Sequence, residues 1–424
     1  MSDYFKTWTD FLDSKKIEGF GTYIIGDLFA NRIDKNHPTL PLLAVTGKDG
    51  VVLRSSLVKR DTSNQDKSKY LRVQPGDIAY NTMRMWQGVS GLSSYDGIAS
   101  PAYTICAPND KISSSFARYL FKLPLLVQVF HKFSQGLVDD TLNLKFINFS
   151  SIKVRIPPLP EQQKIAAILT SVDNVIEKTE AQINKLQDLK RGMMQELLTR
   201  GIGHTQFKDS PVGRIPVGWD VVGISTLAEK SQNSFVIGPF GSNLVKKDYR
   251  QQGVPVVFVR DIKPSRFNWI SNIFVTTKKA RELIAHSVKP GEIIITKMGL
   301  PPGIAAIYNE SMPSGVVTAD IIRLRPNVKK TSSSFLVEAL NSDIIAKQVR
   351  DRTAGQTRPK LTLTDYKTIL IPLPDLEEQK KIASILSTVD SHIDKKVQKS
   401  KQSKSLKKAL MQDLLTGKVR VKVD

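Results

Sequence analysis

The chain has a single cysteine, Cys106, in 424 residues, so it can form no internal disulfide. A lone thiol with no motif around it reads as a small buried hydrophobe in a reducing compartment, and the expected location is the cytoplasm. No apolar run approaches the roughly 18 residues that a membrane span requires. The first residues, MSDYFKTWTDFLDSKK, carry acids and lack the apolar core of a secretory signal. The five histidines, His37, His131, His204, His286 and His392, are scattered, and with one cysteine they give no metal-ligand spacing. There is no GxxxxGK[ST] phosphate loop. No GxGxxG follows a strand, since GPFGSN at Gly238–Asn243 is too short and contains proline. No Asn/Asp-Pro-Pro-aromatic run and no defensible Ser/His/Asp set occurs. An acid beside a lysine, such as Asp188 with Lys190, reads as a solvated helix face. The chain is therefore expected to be non-catalytic, with no metal or cofactor of its own.

What is present is a duplication. Glu161–Gly201 begins EQQKIAAILTSVD and ends MQELLTRG, while Glu378–Lys418 begins EQKKIASILSTVD and ends MQDLLTGK. The register holds without a gap, with Ile165 matching Ile382, Asp173 matching Asp390, Leu189 matching Leu406 and Met194 matching Met411. A proline step precedes each copy, at Ile156–Pro160 and Ile371–Pro374. The order is globular unit, helix, globular unit, helix.

The formal charge of +22 is unevenly spread: +6 over 1–160, zero over 161–201, +9 over 202–377 and +7 over 378–424. A balanced first helix argues against a nonspecific polycation, with a generically basic surface as the alternative. Excess charge on two separate globular units points to two faces for a polyanion, with nucleic acid the leading candidate.

In the first repeated helix, Ile165, Leu169, Val172, Ile176, Ile183, Leu186, Met193 and Leu197 fall on alternating three- and four-residue steps, broken at Thr179 and Lys190. That is a narrow coiled-coil stripe. The second keeps the stripe at its ends (Ile382, Leu386, Val389, Ile393, then Leu410 and Leu414) but has Lys396, Ser400, Ser403 and Lys407 between. So polar a helix should lie against a better stripe, most simply the first, and a twofold relation makes the pair antiparallel. Each runs about 40 residues, about 60 Å at 1.5 Å per residue. Gly201 and Gly417 close the helices where positive φ is needed. The prolines bar any helix from continuing into them.

Both globular units read as mixed α/β with many short strands. VQPGDIAYNT (Val73–Thr82) matches VKPGEIIITK (Val288–Lys297): a Pro-Gly turn, an acid and a strand. A glycine-containing loop follows each, MRMWQG at Met83–Gly88 and KMGLPPG at Lys297–Gly303. A second loop precedes each proline step, SQGLVDD at Ser134–Asp140 and TAGQTRPK at Thr353–Lys360. Unit two also has GPFGSNLVKKDYR at Gly238–Arg250. The scaffold repeats while the loops differ, which suits two related modules that contact two different surfaces.

The duplicated helix with its proline step, the GRIPVGWDVV run at Gly213–Val222, and the GPFGSNLVKKDY and MRMWQG loops resemble type I restriction-modification specificity subunits over essentially the whole chain. Unit one lacks a clear Ile-Pro-x-x-Trp start. The resemblance implies an α+β fold of two similar target-recognition domains (1–155 and 204–370) and two conserved helical spacers (156–203 and 371–424). The spacers would pair antiparallel as a coiled coil, giving a pseudo-twofold internal repeat. It also implies that each domain reads half of a bipartite, asymmetric double-stranded DNA target. The implied partners are two methyltransferase subunits that bind S-adenosylmethionine and methylate adenine, and restriction subunits that use ATP and Mg²⁺. A structural scaffold that does not read DNA is the rival reading.

If each unit offers its loops to a major groove, the base-contact candidates are Arg84, Gln87 and Gln135, with Trp86 as a wall, in unit one. In unit two they are Asn243, Lys297, Gln356 and Arg358. Lys246, Lys247, Arg250, Lys278, Lys279 and Lys360 are the phosphate-contact candidates. For each cation a plain solvated surface is the alternative, and for Trp86 a core role.

Overall fold

The computed structural model describes residues 7–13, 17–58, 63–353 and 359–423. The chain divides into two compact units, 1–181 with 397–424, and 182–396. The division passes through both long helices, Leu159–Leu197 and Leu376–Leu415, so each helix contributes one half to each unit.

Unit one is built on a four-stranded antiparallel sheet in the order Phe29–Asn31, Tyr103–Pro108, Ile78–Asn81, Ser90–Leu92. Unit two has the same sheet in the same order: Phe235–Ile237, Ile321–Leu324, Ile293–Thr296, Ala305–Ile307. Successive side chains of a strand point to opposite faces, and here both faces are covered. Ile78 and Tyr80 enter one core of unit one while Ala79 enters another. In unit two Ile293 and Ile295 are separated from Ile294 in the same way. That is why the sequence shows unbroken apolar runs at IAY and III rather than alternation. Cys106 lies fully buried in the first of these cores, as a small hydrophobe.

The repeated Pro-Gly-acid turn now has a physical reason. Gly76 and Gly291 take φ of 94° and 81°, a region glycine enters at little cost. The acid that follows is buried and closes the turn. Asp77 accepts the Gln74 N–H at 2.8 Å and a two-pronged hydrogen bond from Arg32 at 2.8 and 3.0 Å. Glu292 accepts the Lys289 N–H at 3.0 Å and Arg325 Nε at 2.7 Å.

A further strand pair joins each unit to the start of a long helix, Gly21–Ile24 with Lys153–Ile156 and Asp220–Gly223 with Leu370–Leu373. At each junction a buried glutamine, the second residue of its repeat, holds the helix start to the unit. Gln162 accepts the Ser113 N–H at 2.9 Å and donates to the carbonyls of Lys111 at 3.0 Å and Pro157 at 2.9 Å. Gln379 accepts the Ser332 N–H at 2.9 Å and donates to the carbonyls of Lys330 at 3.2 Å and Pro374 at 2.9 Å.

Inside unit one the two helices run antiparallel. Asp173 meets Lys407 at 2.6 Å and Glu180 meets Lys404 at 2.6 Å, so residue numbers rise on one helix as they fall on the other. Unit two repeats the relation through Lys190 and Asp390 at 2.7 Å. Each helix start also captures the chain leaving the other helix. Glu161 accepts Arg420 Nε at 2.9 Å and Nη2 at 2.7 Å, with the Val421 N–H at 3.2 Å. Glu378 accepts the Ile202 N–H at 2.8 Å, His204 Nε2 at 2.9 Å and Trp219 Nε1 at 2.9 Å. The closing glycines are enforced by contact as well as by φ: a Cβ on Gly201 would meet Trp219, and one on Gly417 would meet Phe20. Phe20 therefore stands in unit one where Trp219 stands in unit two, which supplies the start that unit one lacked in sequence.

The stripes are less interrupted than the residue types suggest. Ile165, Leu169, Ile382, Leu386, Ile393 and Leu414 are buried. Val172, Ile176, Ile183, Leu186, Val389 and Leu410 are half-buried. Thr179 and Ser400 are buried within the stripe, and the Thr179 hydroxyl donates to its own helix at Val175 O, 2.6 Å away. The reading of Asp188 and Lys190 as one solvated face is corrected in half. Asp188 is exposed and pairs with Arg191 at 3.4 Å. Lys190 instead sits in the stripe with a side chain only 15% exposed, 2.7 Å from Asp390 and 3.3 Å from Glu338. A lysine can occupy such a position because its stem packs while its charge is paired.

Candidate nucleic-acid interface

In unit one the structure brings the two loops of the sequence reading together. Arg84 is exposed, and its guanidinium lies 3.7 Å from Asp140 of the second loop. The Leu144 N–H donates to Thr82 O, and the buried Tyr80 hydroxyl donates to Leu144 O at 3.1 Å, so the loops share one base. Trp86 is half-buried: its indole N–H donates to Met83 O at 3.1 Å, and the ring meets His131 edge-on at 5.7 Å between centroids. These contacts hold the half-buried indole in place between its own loop and the helix that carries His131. Gln87 and Gln135 are exposed. The Gln135 backbone pairs with Asn143, which pins the base of the second loop. Gly136 is needed there, because a Cβ would fall 2.6 Å from Thr141 O. At the tip of that loop Leu137 is fully exposed and Val138 largely so. The sequence reading passed over both, although two adjacent apolar residues within the polar run SQGLVDD were a signal.

In unit two three loops converge on Lys297. Its ammonium lies 5.2 Å from the Phe240 ring centroid, a cation–π contact with the GPFGSN loop. Its N–H donates to Asp320 O and its carbonyl accepts the Leu361 N–H. Met298 beside it pairs with Lys360. Asn243, Lys246, Lys247, Lys278 and Lys360 are exposed. Arg250 is exposed too, but its Nη1 donates to the carbonyls of Lys247 and Tyr249, both at 2.8 Å, so part of its donor capacity is spent within its own loop. Lys279 lies 3.4 Å from Glu282 and 3.8 Å from Asp248, which ties the helix Thr277–Glu282 to the lysine loop. Gln356 and Arg358 lie outside the described residues.

One cation was missed in unit two. Arg260 lies over the Phe258 ring at 4.6 Å and donates from Nε to Ser271 Oγ at 2.8 Å. Ser271 is in turn held by the buried carboxylate of Asp261. Arg260 borders a concave surface of about 350 Å³ with Tyr249, Phe258 and Asp320. An arginine directly after the apolar run VPVVFV was the available signal.

Both faces combine exposed cations and amides with anchored aromatics, the residue types that contact phosphates and base edges. Among the described residues no group of histidine, cysteine and acid side chains could hold a metal. No helix among them is long and apolar enough to cross a membrane.

Comparison with known proteins bears on the same segments. The family model for the type I restriction modification DNA specificity domain matches twice, over residues 15–188 and 216–402. The putative type I restriction enzyme MjaX specificity subunit of Methanocaldococcus jannaschii is 29% identical over 369 residues, covering 85% of this chain and 82% of that protein. The MjaVIII specificity subunit of the same organism is 28% identical over 366 residues, covering 84% and 83%. Among solved structures, the S subunit of a type I restriction-modification system from M. genitalium shares the fold at TM-score 0.56 and 14% identity, over 95% of this chain and 97% of that one. A chain from work on complex assembly and conformational transition of the type I R-M system does so at TM-score 0.58 and 15% identity, over 95% and 99%. The chain belongs to the type I restriction-modification DNA specificity family, as a specificity subunit that carries the family's domain twice.

Proposed function

We propose that the two units each read one half of a bipartite, asymmetric double-stranded DNA target, and that the long helices set the distance and rotational phase between the halves. The observation that carries this reading is a scaffold repeated down to single hydrogen bonds, at Gln162 and Gln379 and at Asp77 and Glu292, under loops that are not repeated. A duplicated structural support has no reason to vary only its exposed loops. Two readers of different sequences do.

Within this reading Arg84, Gln87, Gln135, Asn243 and Lys297 contact bases, with Trp86 and the Leu137 tip as apolar walls against thymine methyls or sugar edges. Gln356 and Arg358 belong to the same assignment on sequence grounds alone. Lys246, Lys247, Arg250, Lys278, Lys279 and Lys360 hold phosphates. The chain itself catalyses nothing. It positions two adenine methyltransferase subunits that carry S-adenosylmethionine, and restriction subunits that use ATP and Mg²⁺.

Paired substitutions test the assignment. Arg84→Ala should relax one target position, with a loss of discrimination of about 1–3 kcal/mol. Lys247→Ala should weaken binding alike on target and random duplexes and lower the salt slope by about 1. Equal effects of both changes on target and random DNA contradict the reading. Retardation of random DNA in gels over a salt series separates it from a scaffold that ignores DNA.

A further inference from the structure

Unit one holds a cleft of about 470 Å³ that the recognition loops do not use. It lies between the sheet, the start of the helix Pro124–Phe133 and the second long helix. Trp86 packs on His131, seven residues and about 10 Å further along that short helix. Six cations line the cleft, Lys48, Arg118, Lys122, Lys404, Lys407 and Lys408, against only Asp49 and Asp173. Asp173 is shared by Lys407 at 2.6 Å and Arg118 at 3.5 Å, and Lys404 is taken by Glu180. Lys48, Lys122 and Lys408 have no carboxylate within ion-pair distance among the described residues. Lys122 is the telling member, since it is half-buried with Lys407 and Arg118 near it and only the more weakly acting Asp173 and Asp49 in opposition. Burial, with Lys407 and Arg118 nearby, pulls its ammonium below the usual lysine range.

Unit two supplies an internal control. The serine that caps the glutamine clamp is Ser113 in one unit and Ser332 in the other, so Tyr119 corresponds to Glu338, and the helix repeat pairs Asp173 with Asp390. In unit two Glu338 and Asp390 both meet Lys190, and Arg266 caps Asp390 at 3.6 Å and Asp394 at 2.5 Å. That corner is neutralised by its own acids. The corner of unit one keeps more cations than acids in a concavity, with three lysines outside ion-pair distance of any carboxylate among the described residues, and such half-buried excess charge is costly unless something of opposite sign fills the space.

We infer that this cleft binds a phosphate group, with Lys48, Lys122 and Lys408 as its ligands. The group comes either from a DNA backbone beyond the base-reading loops or from a free phosphate. Only the DNA source rests on the function proposed above.

The test uses the full chain and the variant Lys122→Gln/Lys408→Gln. Because Lys122→Gln removes a like-charge contact, the variant should fold with an undiminished Tm in chloride. In one arm Tm is measured in pyrophosphate against chloride at matched ionic strength. In the other, duplex DNA binding is followed by fluorescence anisotropy over a salt series, with Lys395→Gln as an exposed control. A pyrophosphate-dependent rise in Tm that the variant loses supports a free-phosphate site. A fall in the salt slope of about 1–2, absent in the control, supports a DNA phosphate. If the variant matches the parent chain in both arms, the inference is overturned. Failure of the parent chain to bind DNA at all counts against the proposed function and leaves the pyrophosphate arm decisive.

Discussion

Gln379 offers a sharp test of how a long helix is fixed to its unit. The side chain is fully buried and satisfies three backbone groups, the Ser332 N–H and the carbonyls of Lys330 and Pro374. Gln379→Met keeps the approximate volume and removes all three partners. A buried donor left unpaired costs about 1–3 kcal/mol, and the two carbonyls add to it. The expected loss is about 3–5 kcal/mol, a large share of the 5–15 kcal/mol typical of a domain. Gln162→Met removes the equivalent set in unit one and should cost a similar amount. Because the two sites lie in different units, the double variant should be additive within about 0.5 kcal/mol. Urea unfolding of both single variants and the double variant, followed by circular dichroism, reads these values. A loss below about 1 kcal/mol for either single variant refutes the clamp as a structural anchor.

Other expectations follow from the same geometry. Arg420 holds the Glu161 carboxyl below its usual range, chiefly through their hydrogen bonds; this stabilisation should be complete above the ordinary glutamate value of about 4.3 and lost as pH falls below it. Glu161→Gln should therefore flatten acid unfolding in that window, and an unchanged profile contradicts the pairing. Leu169→Asp puts a charge into a fully buried position and should cost about 4 kcal/mol or more, whereas Ile176→Asp at a half-buried one should cost clearly less in the same denaturation assay. Lys190→Met strands Glu338 against its burial and should cost about 3 kcal/mol, most of it recovered in Lys190→Met/Glu338→Met; no recovery in the double variant refutes the pairing.

The duplication, the antiparallel helices and the strand after each Pro-Gly-acid turn were legible because each rests on periodicity or on a copied segment. The glutamine clamp lay in plain sight in EQQK and EQKK, but a polar residue at a helix start carries no mark of burial. Thr179, Lys190 and Ser400 looked like breaks because residue type was read without its partners. Phe20 was missed as the counterpart of Trp219 because only the contact with a closing glycine reveals the equivalence. The loops were legible as loops and no further. Nothing in the spacing of exposed cations foretells that Arg84 faces Asp140, that Arg250 turns onto its own backbone, or that Arg260 is propped by Phe258 and Ser271.

The most direct measurement is the affinity of the chain, assembled with the methyltransferase subunits proposed above, for the proposed bipartite target rebuilt with one to five base pairs inserted between the halves. Each added pair turns one half by about a tenth of a helical turn, and about five pairs place it on the opposite side of the duplex. Two readers on stiff helices predict that affinity falls steeply with the first insertions and reaches the level of random DNA by half a turn. Affinity that stays constant across the series contradicts the account.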